Sequence, residues 1–574
     1  MLRNSNLKII FALAIISGGI FFFPASVLSD SLNQTRVFFV DPSYDLNGRE
    51  QISAILKKIS QKGYFYLEKE WYGNLTGEEK EKVNQNLEIL SQEFDSRIYP
   101  ILTSTYGSEW RPGIDNDYHI TVLFEQLKDE ARGYFNNGDE YPKTQNPKSN
   151  EREMVYITAE SLKSNLGKSY LAHEFTHLIT FNQKDRLRGL QEETWLNELR
   201  ADFSPTLLGY DEDYQGSNLQ QRVKQFIKSP SNSLTEWRNQ TQDYGVINLF
   251  GQYLVEHYGI EILADSLKSP KTGIESINYA LRKNAGSDRA KDFSQIFTDW
   301  TIAVFLNDCD ISTEYCYQNK NLKNLRVTPS LIFLPSTQKT SVSLNYSIKQ
   351  WSGNWYRIMG GEGELKLEFD GEDKVQFKLP YVLCRDTQKC QVDFLDLDKN
   401  QKGKISFENF GKDWTSLTLI PSIQSKISGF NGREPFYNFR ISASIEIKSS
   451  QEKLIEELKA QIAALKAQIA QLQAKIAEIL RKKISCQRFE NNLYYGMKNE
   501  EVRCLQEFLK AQGSEIYPEG LVTGFFGPLT QRAVIRFQEK YAEDILYPLG
   551  LKKGTGFVGP STLAKINQLL NITF

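Results

Sequence analysis

The chain has little histidine, almost no net charge and few long apolar segments. Its 574 residues include four histidines, and 69 basic residues nearly balance 71 acidic ones. This balance gives no electrostatic reason to expect binding to nucleic acid or to an anionic membrane, so we predict no nucleic-acid partner. A chain of this length exceeds the usual size of one domain, so several folded units are expected.

The first 29 residues contain the long apolar run of the chain. Two basic residues precede this run, which extends from Ile9 to Val27, and Val27 and Ser29 are suitably placed for cleavage before Asp30. The pattern predicts a secretory signal peptide over residues 1–29. A retained N-terminal anchor is the alternative, because the run approaches the length of a membrane span. With either, we expect the remaining chain to be secreted or held at the cell surface.

Cysteine is absent before Cys309, and no CxxC pair occurs, which argues against zinc binding by thiolates. An exported chain can oxidise neighbouring cysteines into disulfides. Proximity in the sequence predicts three such bonds, Cys309–Cys316, Cys384–Cys390 and Cys486–Cys504.

Residues 30–320 alternate helical patterns with a few short strands. Helical spacing is found at Ile52–Ile59 and at Glu78–Ile98. Apolar, β-branched runs predict strands at His119–Phe124 and Glu153–Ile157, and helical patterns dominate afterwards. Strands followed by helices in this order predict an α+β domain.

The pattern changes to a period of two over residues 325–448, where Gly, Asn and Asp separate short alternating runs. Strands of this kind bury one face each, so we predict a β-sandwich. The alternating runs are Lys339–Asn345, Asn354–Ile358, Glu364–Phe369, Lys374–Leu379 and Phe439–Ile447.

Residues 450–484 form a heptad segment. Isoleucine occupies one seam position and leucine mostly the other, which favours a parallel two-stranded coiled coil. One expectation is a parallel homodimer through residues 451–483, and the other is a single spacer helix packed on a neighbouring domain. The seam residues are Ile455, Leu458, Ile462, Leu465, Ile469, Leu472, Ile476 and Ile479.

The segment Ser169–Ile179 has the pattern of a buried helix and contains His173, Glu174 and His177. Residues four positions apart share a helical face, so both imidazoles can bind one metal ion. Imidazole suits zinc, and Glu174 can take a proton from a metal-bound water. Two ordinary core histidines are the alternative, but two of the four histidines in the chain fall in this one motif.

A second apolar helix, Glu192–Phe203, supplies a third ligand. Glu198 lies far enough beyond His177 for one helix to end and another to return. Asp202 follows one turn later on the same face, where its carboxylate can accept the outer N–H of a ligating histidine. We predict one zinc ion per chain, bound by His173, His177 and Glu198, with a fourth position open for water.

The run HEFTH at residues 173–177, followed by WLNE at residues 195–198 and by Asp202, resembles the gluzincin metallopeptidases. Within that group it is most similar to the hyicolysin-type family, and the resemblance covers residues 150–260. It implies a zincin-like domain that uses zinc-activated water to hydrolyse peptide bonds in a protein or peptide substrate. Glu174 is then the base and later the proton donor.

Enzymes of this kind usually add a hydrogen-bond donor to the oxyanion, a Tyr or His from a later helix. Tyr244 is our preferred candidate, because a tyrosine precedes a Gly-containing helix in related peptidases. His257 is the alternative, although a histidine there also suits a helix C-terminus. We expect Asn150–Tyr156 to form the sheet edge that pairs with substrate, and the loop Gly133–Ser149 to overhang the cleft.

Residues 486–574 contain a second recognisable pattern. The motif TGFFGPLT at residues 523–530 returns as TGFVGPST at residues 555–562, and Thr530 and Thr562 stand where helices begin. The region looks like the three-helix peptidoglycan-binding domain of cell-wall hydrolases, which implies peptidoglycan as a partner. A helical adaptor without wall affinity is the alternative.

Together these patterns predict a multidomain exported protein. Its parts are an α+β zincin-like metallopeptidase domain, a β-sandwich domain, a coiled-coil helix and a small three-helix peptidoglycan-binding-like domain. The expected function is zinc-dependent peptide hydrolysis near the cell wall. Two alternatives remain open, a non-catalytic adhesive or structural wall protein and a hydrolase of peptidoglycan peptides.

Overall fold

The computed structural model divides the chain into two compact units, Met1–Ile447 and Lys448–Phe574. No helix among the described residues is long and apolar enough to cross a membrane. The predicted signal peptide lies outside the described residues, apart from Ser29. The structure describes residues 29–164, 166–285, 291–335, 340–386, 389–430, 432–446, 450–482, 486 and 488–571.

A six-stranded mixed sheet opens the first unit. Its strands are β1 (Thr35–Phe39), β2 (Gln51–Ile59), β3 (Gly63–Glu68), β4 (Ile120–Glu125), β5 (Gly133–Tyr134) and β6 (Met154–Thr158). In space they are ordered β1-β2-β3-β4-β6-β5. Strands β3, β4 and β6 run parallel, and the other neighbours are antiparallel. The strands predicted around residues 119–124 and 153–157 are confirmed as β4 and β6.

The helix predicted at Ile52–Ile59 is wrong, because this segment belongs to strand β2. Ile52, Ala54 and Leu56 are buried and alternate with more exposed residues, which is the two-residue period of a strand. Strand β2 pairs with β1 on one side and β3 on the other, so its backbone polar groups are satisfied by the sheet.

Helices cover the sheet and continue beyond it. The predicted helix Glu78–Ile98 is confirmed, as an α-helix that passes into a short π-helix at Phe94–Ile98. The α-helices of this unit are α1 (Lys69–Asn74), α2 (Gly77–Glu93), α3 (Tyr99–Tyr106), α4 (Gly167–Thr180), α5 (Thr194–Leu207), α6 (Asn218–Lys228), α7 (Thr241–Tyr258), α8 (Glu261–Lys268), α9 (Gly273–Ala285) and α10 (Phe293–Leu306).

The central strands are buried on both faces. Val122 and Val155 belong to the same apolar cluster as Leu171 and Phe175 of α4. Alternate residues of the strands, such as Tyr156, form a second cluster on the opposite face. The two-residue period of the strands therefore fixes α4 against one face of the sheet.

The second half of this unit is rich in β-strands, as the period of two predicts. A four-stranded antiparallel sheet and a five-stranded mixed sheet contribute side chains to one buried cluster. The strands are β7 (Ser330–Leu334), β8 (Thr340–Ile348), β9 (Tyr356–Gly360), β10 (Gly363–Gly371), β11 (Phe377–Lys378), β12 (Pro380–Cys384), β13 (Cys390–Phe394), β14 (Lys402–Phe410), β15 (Ser416–Leu419), β16 (Ser422–Ile423) and β17 (Tyr437–Glu446). The sheet orders are β14-β10-β17-β8 and β13-β12-β15-β9-β7, and β11 pairs with β16.

The second unit begins with helix α11 (Ser450–Lys482). From Ile455 to Ile476, the side chains of its heptad seam are about half exposed within this unit, from 47% at Leu458 to 58% at Leu472. A small helical domain with one buried core follows. Its helices are α12 (Glu500–Ala511), α13 (Pro528–Lys540), α14 (Ala542–Ile545) and α15 (Pro560–Asn571).

All three predicted disulfides are confirmed, namely Cys309–Cys316, Cys384–Cys390 and Cys486–Cys504. The chain is therefore a multidomain α+β protein with several β-sheets, a helical region and a C-terminal helical domain.

Candidate metal centre

Helix α4 carries the two histidines of the motif. His173 and His177 are one helical turn apart, and their Nε2 atoms are 3.2 Å apart. Leu171 and Phe175 lie in the core beneath the sheet, so the helix cannot rotate without exposing them. The packing of α4 thus aims both imidazoles at one point.

Helix α5 brings Glu198 to the same point. Its Oε2 atom lies 3.3 Å from Nε2 of His173 and 3.7 Å from Nε2 of His177. One ligand atom from each of the three residues lies within 4.8 Å of the others, the arrangement that can hold a metal ion. Helix α5 is held there by its buried residues Trp195 and Leu199.

The three side chains fit a zinc ion. The Oε2 atom of Glu198 is buried and has no hydrogen-bond partner among the described residues, although the two imidazoles face it at 3.3 and 3.7 Å. Two imidazole nitrogens and one carboxylate oxygen form a donor set that zinc binds in proteins. A buried carboxylate oxygen without another donor is costly unless a cation or a charged imidazole faces it.

The charges of the three groups are coupled. Burial alone would raise the pKa of Glu198, but His177 and His173 outweigh it and hold the pKa below its usual range. Burial would likewise lower the pKa of His177, yet Glu198 more than offsets this and raises it to about 9. The site therefore attracts positive charge, supplied either by protons or by a metal ion.

Glu174 lies beside this cluster and is buried, with 6% of its surface exposed. Burial raises the pKa of its carboxyl, and the neighbouring His173 and His177 oppose that rise. Strand β5 passes directly over it, since a Cβ atom at Gly133 would lie 2.7 Å from Oε1 of Glu174. Glycine at this position lets the sheet edge and the carboxylate approach each other.

Asp202 lies behind His173, as its spacing predicts, but its strongest contacts are elsewhere. Its Oδ1 atom is 3.8 Å from Nδ1 of His173, which exceeds hydrogen-bond distance. Two guanidinium nitrogens of Arg222, on α6, donate hydrogen bonds to this carboxylate at 2.6 and 3.0 Å. The side-chain amide of Asn248, on α7, donates a third at 2.8 Å. That Asp202 accepts a hydrogen bond from His173 stays a prediction. The two hydrogen bonds from Arg222 to Asp202 are not predicted by the sequence.

A different residue meets the outer nitrogen of the second histidine. Nδ1 of His177 lies 3.1 Å from Oδ1 of Asn197, the residue before Glu198. This contact favours the tautomer that leaves Nε2 free for a metal ion.

Tyr244 stands near the cluster and His257 is engaged elsewhere. The ring of Tyr244 is 6.4 Å from that of His173, and the Arg222 guanidinium lies 4.6 Å from the Tyr244 ring centre. Burial and then Glu198 raise the pKa of Tyr244, so its hydroxyl stays protonated. His257 contacts the carbonyl of Cys316 at 3.0 Å. The choice between the two as oxyanion donor stays a prediction.

A cavity of about 250 Å³ adjoins His177. It is lined in part by the loop after β5, as expected for a loop that overhangs a cleft, and by Tyr44, whose ring stacks on Tyr134 at 4.8 Å. The edge strand is not the predicted one. Strand β6 is flanked by β4 and β5, so β5 forms the edge of the described sheet.

Sequence patterns assigned no contact at the site to Arg222, Asn197 or Tyr44, and they placed Gly133 only at the start of the overhanging loop. Asn197 is part of the motif WLNE and carried a signal. The other three come from separate elements and reach the site through the tertiary fold, which local spacing does not encode.

Residues 498–566 match a protein-family model described as "Putative peptidoglycan binding domain". The chain thus carries a C-terminal peptidoglycan-binding domain, as predicted. Together with the disulfides, this domain is characteristic of an extracytoplasmic protein of the cell envelope. The match does not extend to the metal centre.

No curated protein matches the chain. Three solved structures are distant likenesses of parts of the chain. The Yersinia pseudotuberculosis-derived mitogen is 9% identical, with 20% of this chain and 91% of that chain covered and a TM-score of 0.14. The pre-peptidase C-terminal domain of Bacillus anthracis collagenase is also 9% identical, with 20% and 96% covered and a TM-score of 0.14. The lysozyme inhibitor PliG of Aeromonas hydrophila is 12% identical, with 21% and 100% covered and the same TM-score. Likenesses of this size carry no argument about fold or function.

Proposed function

We propose that the protein is an exported zinc-dependent peptidase, of the gluzincin type that the motif resembles, held near the cell wall by its C-terminal domain. The observation that carries the proposal is the convergence of Glu198 on the two imidazoles, within 3.3 and 3.7 Å. His173, His177 and Glu198 would hold one zinc ion. When bound there, the ion supplies Lewis acidity toward water and a substrate carbonyl.

Glu174 is the proposed general base. Its buried carboxyl has a pKa raised by burial, so it binds a proton more readily than an exposed glutamate does. It takes a proton from the attacking water and returns it to the leaving amine. Tyr244 is the proposed oxyanion donor, because its hydroxyl stays protonated and its ring packs against the Arg222 guanidinium, 4.6 Å from the ring centre.

The extended substrate is proposed to add to strand β5. This strand lies at the sheet edge, so close to Glu174 that a Cβ atom at Gly133 would lie 2.7 Å from Oε1 of that residue. A peptide paired with β5 would therefore run past the base with its carbonyl groups in reach. The substrate class is protein or peptide, since main-chain pairing does not depend on side chains.

For the parts of the chain we propose the boundaries that the sequence suggests. Residues 30–320 form the catalytic domain, 325–448 a β-sandwich, 450–484 a coiled-coil spacer and 486–574 the wall-binding domain, after a signal peptide over residues 1–29. The common core of the two stacked sheets supports the sandwich. The spacer is proposed to form a parallel homodimer, because its apolar seam is half exposed within its own unit.

A seam substitution tests the dimer. Leu465→Lys places a charge in the seam and should convert a dimer into a monomer in light scattering of the full chain. Ala467→Lys, off the seam of the same helix, should leave the dimer intact. A monomeric wild type would contradict the proposal.

Peptide cleavage by Glu174→Gln tests the activity. We expect the variant to keep one zinc ion and to lose hydrolysis of a peptide library by about 10²- to 10⁴-fold. Glu78→Gln, an exposed glutamate on α2, is the matched control. Full activity in Glu174→Gln would disprove the mechanism. Cleavage of wall peptides alone would favour the peptidoglycan hydrolase, and zinc binding without any cleavage would favour the adhesive protein.

A further inference from the structure

The C-terminal domain contains two equivalent turns, at residues 523–525 and 555–557. Gln506 of α12 and Gln538 of α13 are each 1% exposed. Each forms hydrogen bonds to one of these turns, whose sequence is Thr-Gly-Phe in both cases. The side-chain carbonyl of Gln506 accepts from the backbone N–H of Thr523 and Gly524, and that of Gln538 accepts from Thr555 and Gly556. The sequence separations are 17 and 18 residues in both cases.

The same side chains also donate equivalently. Nε2 of Gln506 donates to the carbonyl of Phe525 and to Thr530. Nε2 of Gln538 donates to the carbonyl of Phe557 and to Thr562. The domain therefore presents the same turn twice.

Each turn exposes a phenylalanine at the same position. Phe525 is 42% exposed and Phe557 is 41% exposed, whereas the residues that follow them, Phe526 and Val558, are fully buried. Phe526 and Val558 are therefore the residues that anchor the two turns in the hydrophobic core. One exposed apolar ring needs no explanation, but the same ring kept at equivalent places of both turns points to a use outside the fold.

The segment before α12 joins the two turns into one surface. Leu493 pairs with Val558 next to one phenylalanine, and Lys498 pairs with the other, Phe525. Between these points lie Tyr494 and Tyr495, each 53% exposed. The ring of Tyr494 is stacked on that of Phe557, with centroids 6.2 Å apart.

We propose that Phe525, Phe557 and Tyr494 form the platform that binds the glycan strands of peptidoglycan. The inference rests on the wall-binding role of this domain, which the family match supports. Sugar rings expose C–H faces that pack on the electron-rich faces of aromatic rings, and flat aromatic side chains lose little entropy on binding. Two turns joined by one strip suit a polymer with a repeating unit better than a single short peptide.

Binding of the full chain to purified sacculi tests the platform. We expect Phe525→Ala and Phe557→Ala each to weaken binding by about tenfold, as the loss of one buried aromatic contact does, and the double variant to weaken it further. Tyr547→Ala removes a 62% exposed ring elsewhere in the domain and should bind like the wild type. Unchanged thermal unfolding of the variants separates lost contacts from lost folding.

Two further arms separate the causes of failure. Glycan strands stripped of stem peptides by an amidase should bind as the intact sacculi do, and a hexamer of N-acetylglucosamine should compete. Binding lost on removal of the peptides would overturn the glycan assignment, as would wild-type binding by both phenylalanine variants. A wild type that binds no sacculi at all would instead refute the wall-binding role itself.

Discussion

The two units of the chain bury different kinds of polar group. In the described part of the C-terminal unit, the buried polar residues are the amides and hydroxyls of Gln506, Gln538, Thr530 and Thr562. The N-terminal unit buries many carboxylates, among them Glu174. Neutral hydrogen bonds hold a fixed shape at every physiological pH, whereas buried charge needs a cation or a proton.

This difference matches the two proposed roles. A wall-binding domain needs two turns of constant geometry. A hydrolytic site needs charges in a place from which bulk water is excluded, because water would otherwise screen them. We therefore expect the N-terminal unit to respond to metal and pH, and the C-terminal unit to be insensitive to both.

We expect the strongest loss of function from His173→Ala. The variant removes one of the proposed ligands and should lose both bound zinc and peptide hydrolysis, while the C-terminal unit still binds sacculi. His119→Ala is a matched control, since that imidazole contacts Asp117 in a different place. Metal analysis and cleavage assays on the same preparations measure the effect. Zinc retained at full stoichiometry in His173→Ala would show that this histidine is not a ligand.

The next effect concerns Arg222. Arg222→Gln leaves the fully buried Asp202 without its bidentate partner and lets the Tyr244 ring move. We expect a loss of about 10- to 100-fold in zinc affinity or activity. Competition with a zinc chelator and turnover kinetics measure it, and the exposed Arg433→Gln serves as control. Unchanged values would remove Arg222 from the site.

A stability effect is expected in the C-terminal unit. Gln538→Ala leaves two backbone N–H groups of the turn without their acceptor, at a cost of about 1–3 kcal/mol for each buried group. Gln506→Ala should cost a similar amount, because its bonds are equivalent. Hydrogen exchange of residues 488–571 in the full chain reports the loss, and Gln568→Ala on the exposed face of α15 should show none. Strongly unequal effects would argue against two equivalent turns.

A pH dependence of stability is expected at Glu125. Burial raises the pKa of this carboxyl from 4.5 to about 8, partly offset by the Tyr134 hydroxyl. A raised pKa means that the folded state holds the proton more tightly than the unfolded state, so the wild type loses stability as the pH rises from about 4.5 to about 8. Glu125→Gln should therefore be more stable than the wild type at alkaline pH but not at acid pH. Urea midpoints of both proteins across this range test the sign.

Local patterns predicted what local interactions determine. The helix around His173, the disulfides and the repeated turns are each specified within a few tens of residues. The helix predicted at Ile52–Ile59 is a strand, because a short apolar run suits both the helical and the strand period until its partners in the sheet are known. The sheet edge was misplaced for a related reason. A two-residue strand such as β5 has no period to detect, and Arg222 reaches Asp202 only through the packing of α6 against α7.

The coordination of a bound zinc ion would show whether His173, His177 and Glu198 form one metal site. X-ray absorption at the zinc edge of the purified full chain should show two imidazoles and light oxygen donors, with no sulfur, and Glu198→Ala should alter that spectrum. A zinc ion bound by sulfur, or a spectrum unaffected by Glu198→Ala, would contradict the account.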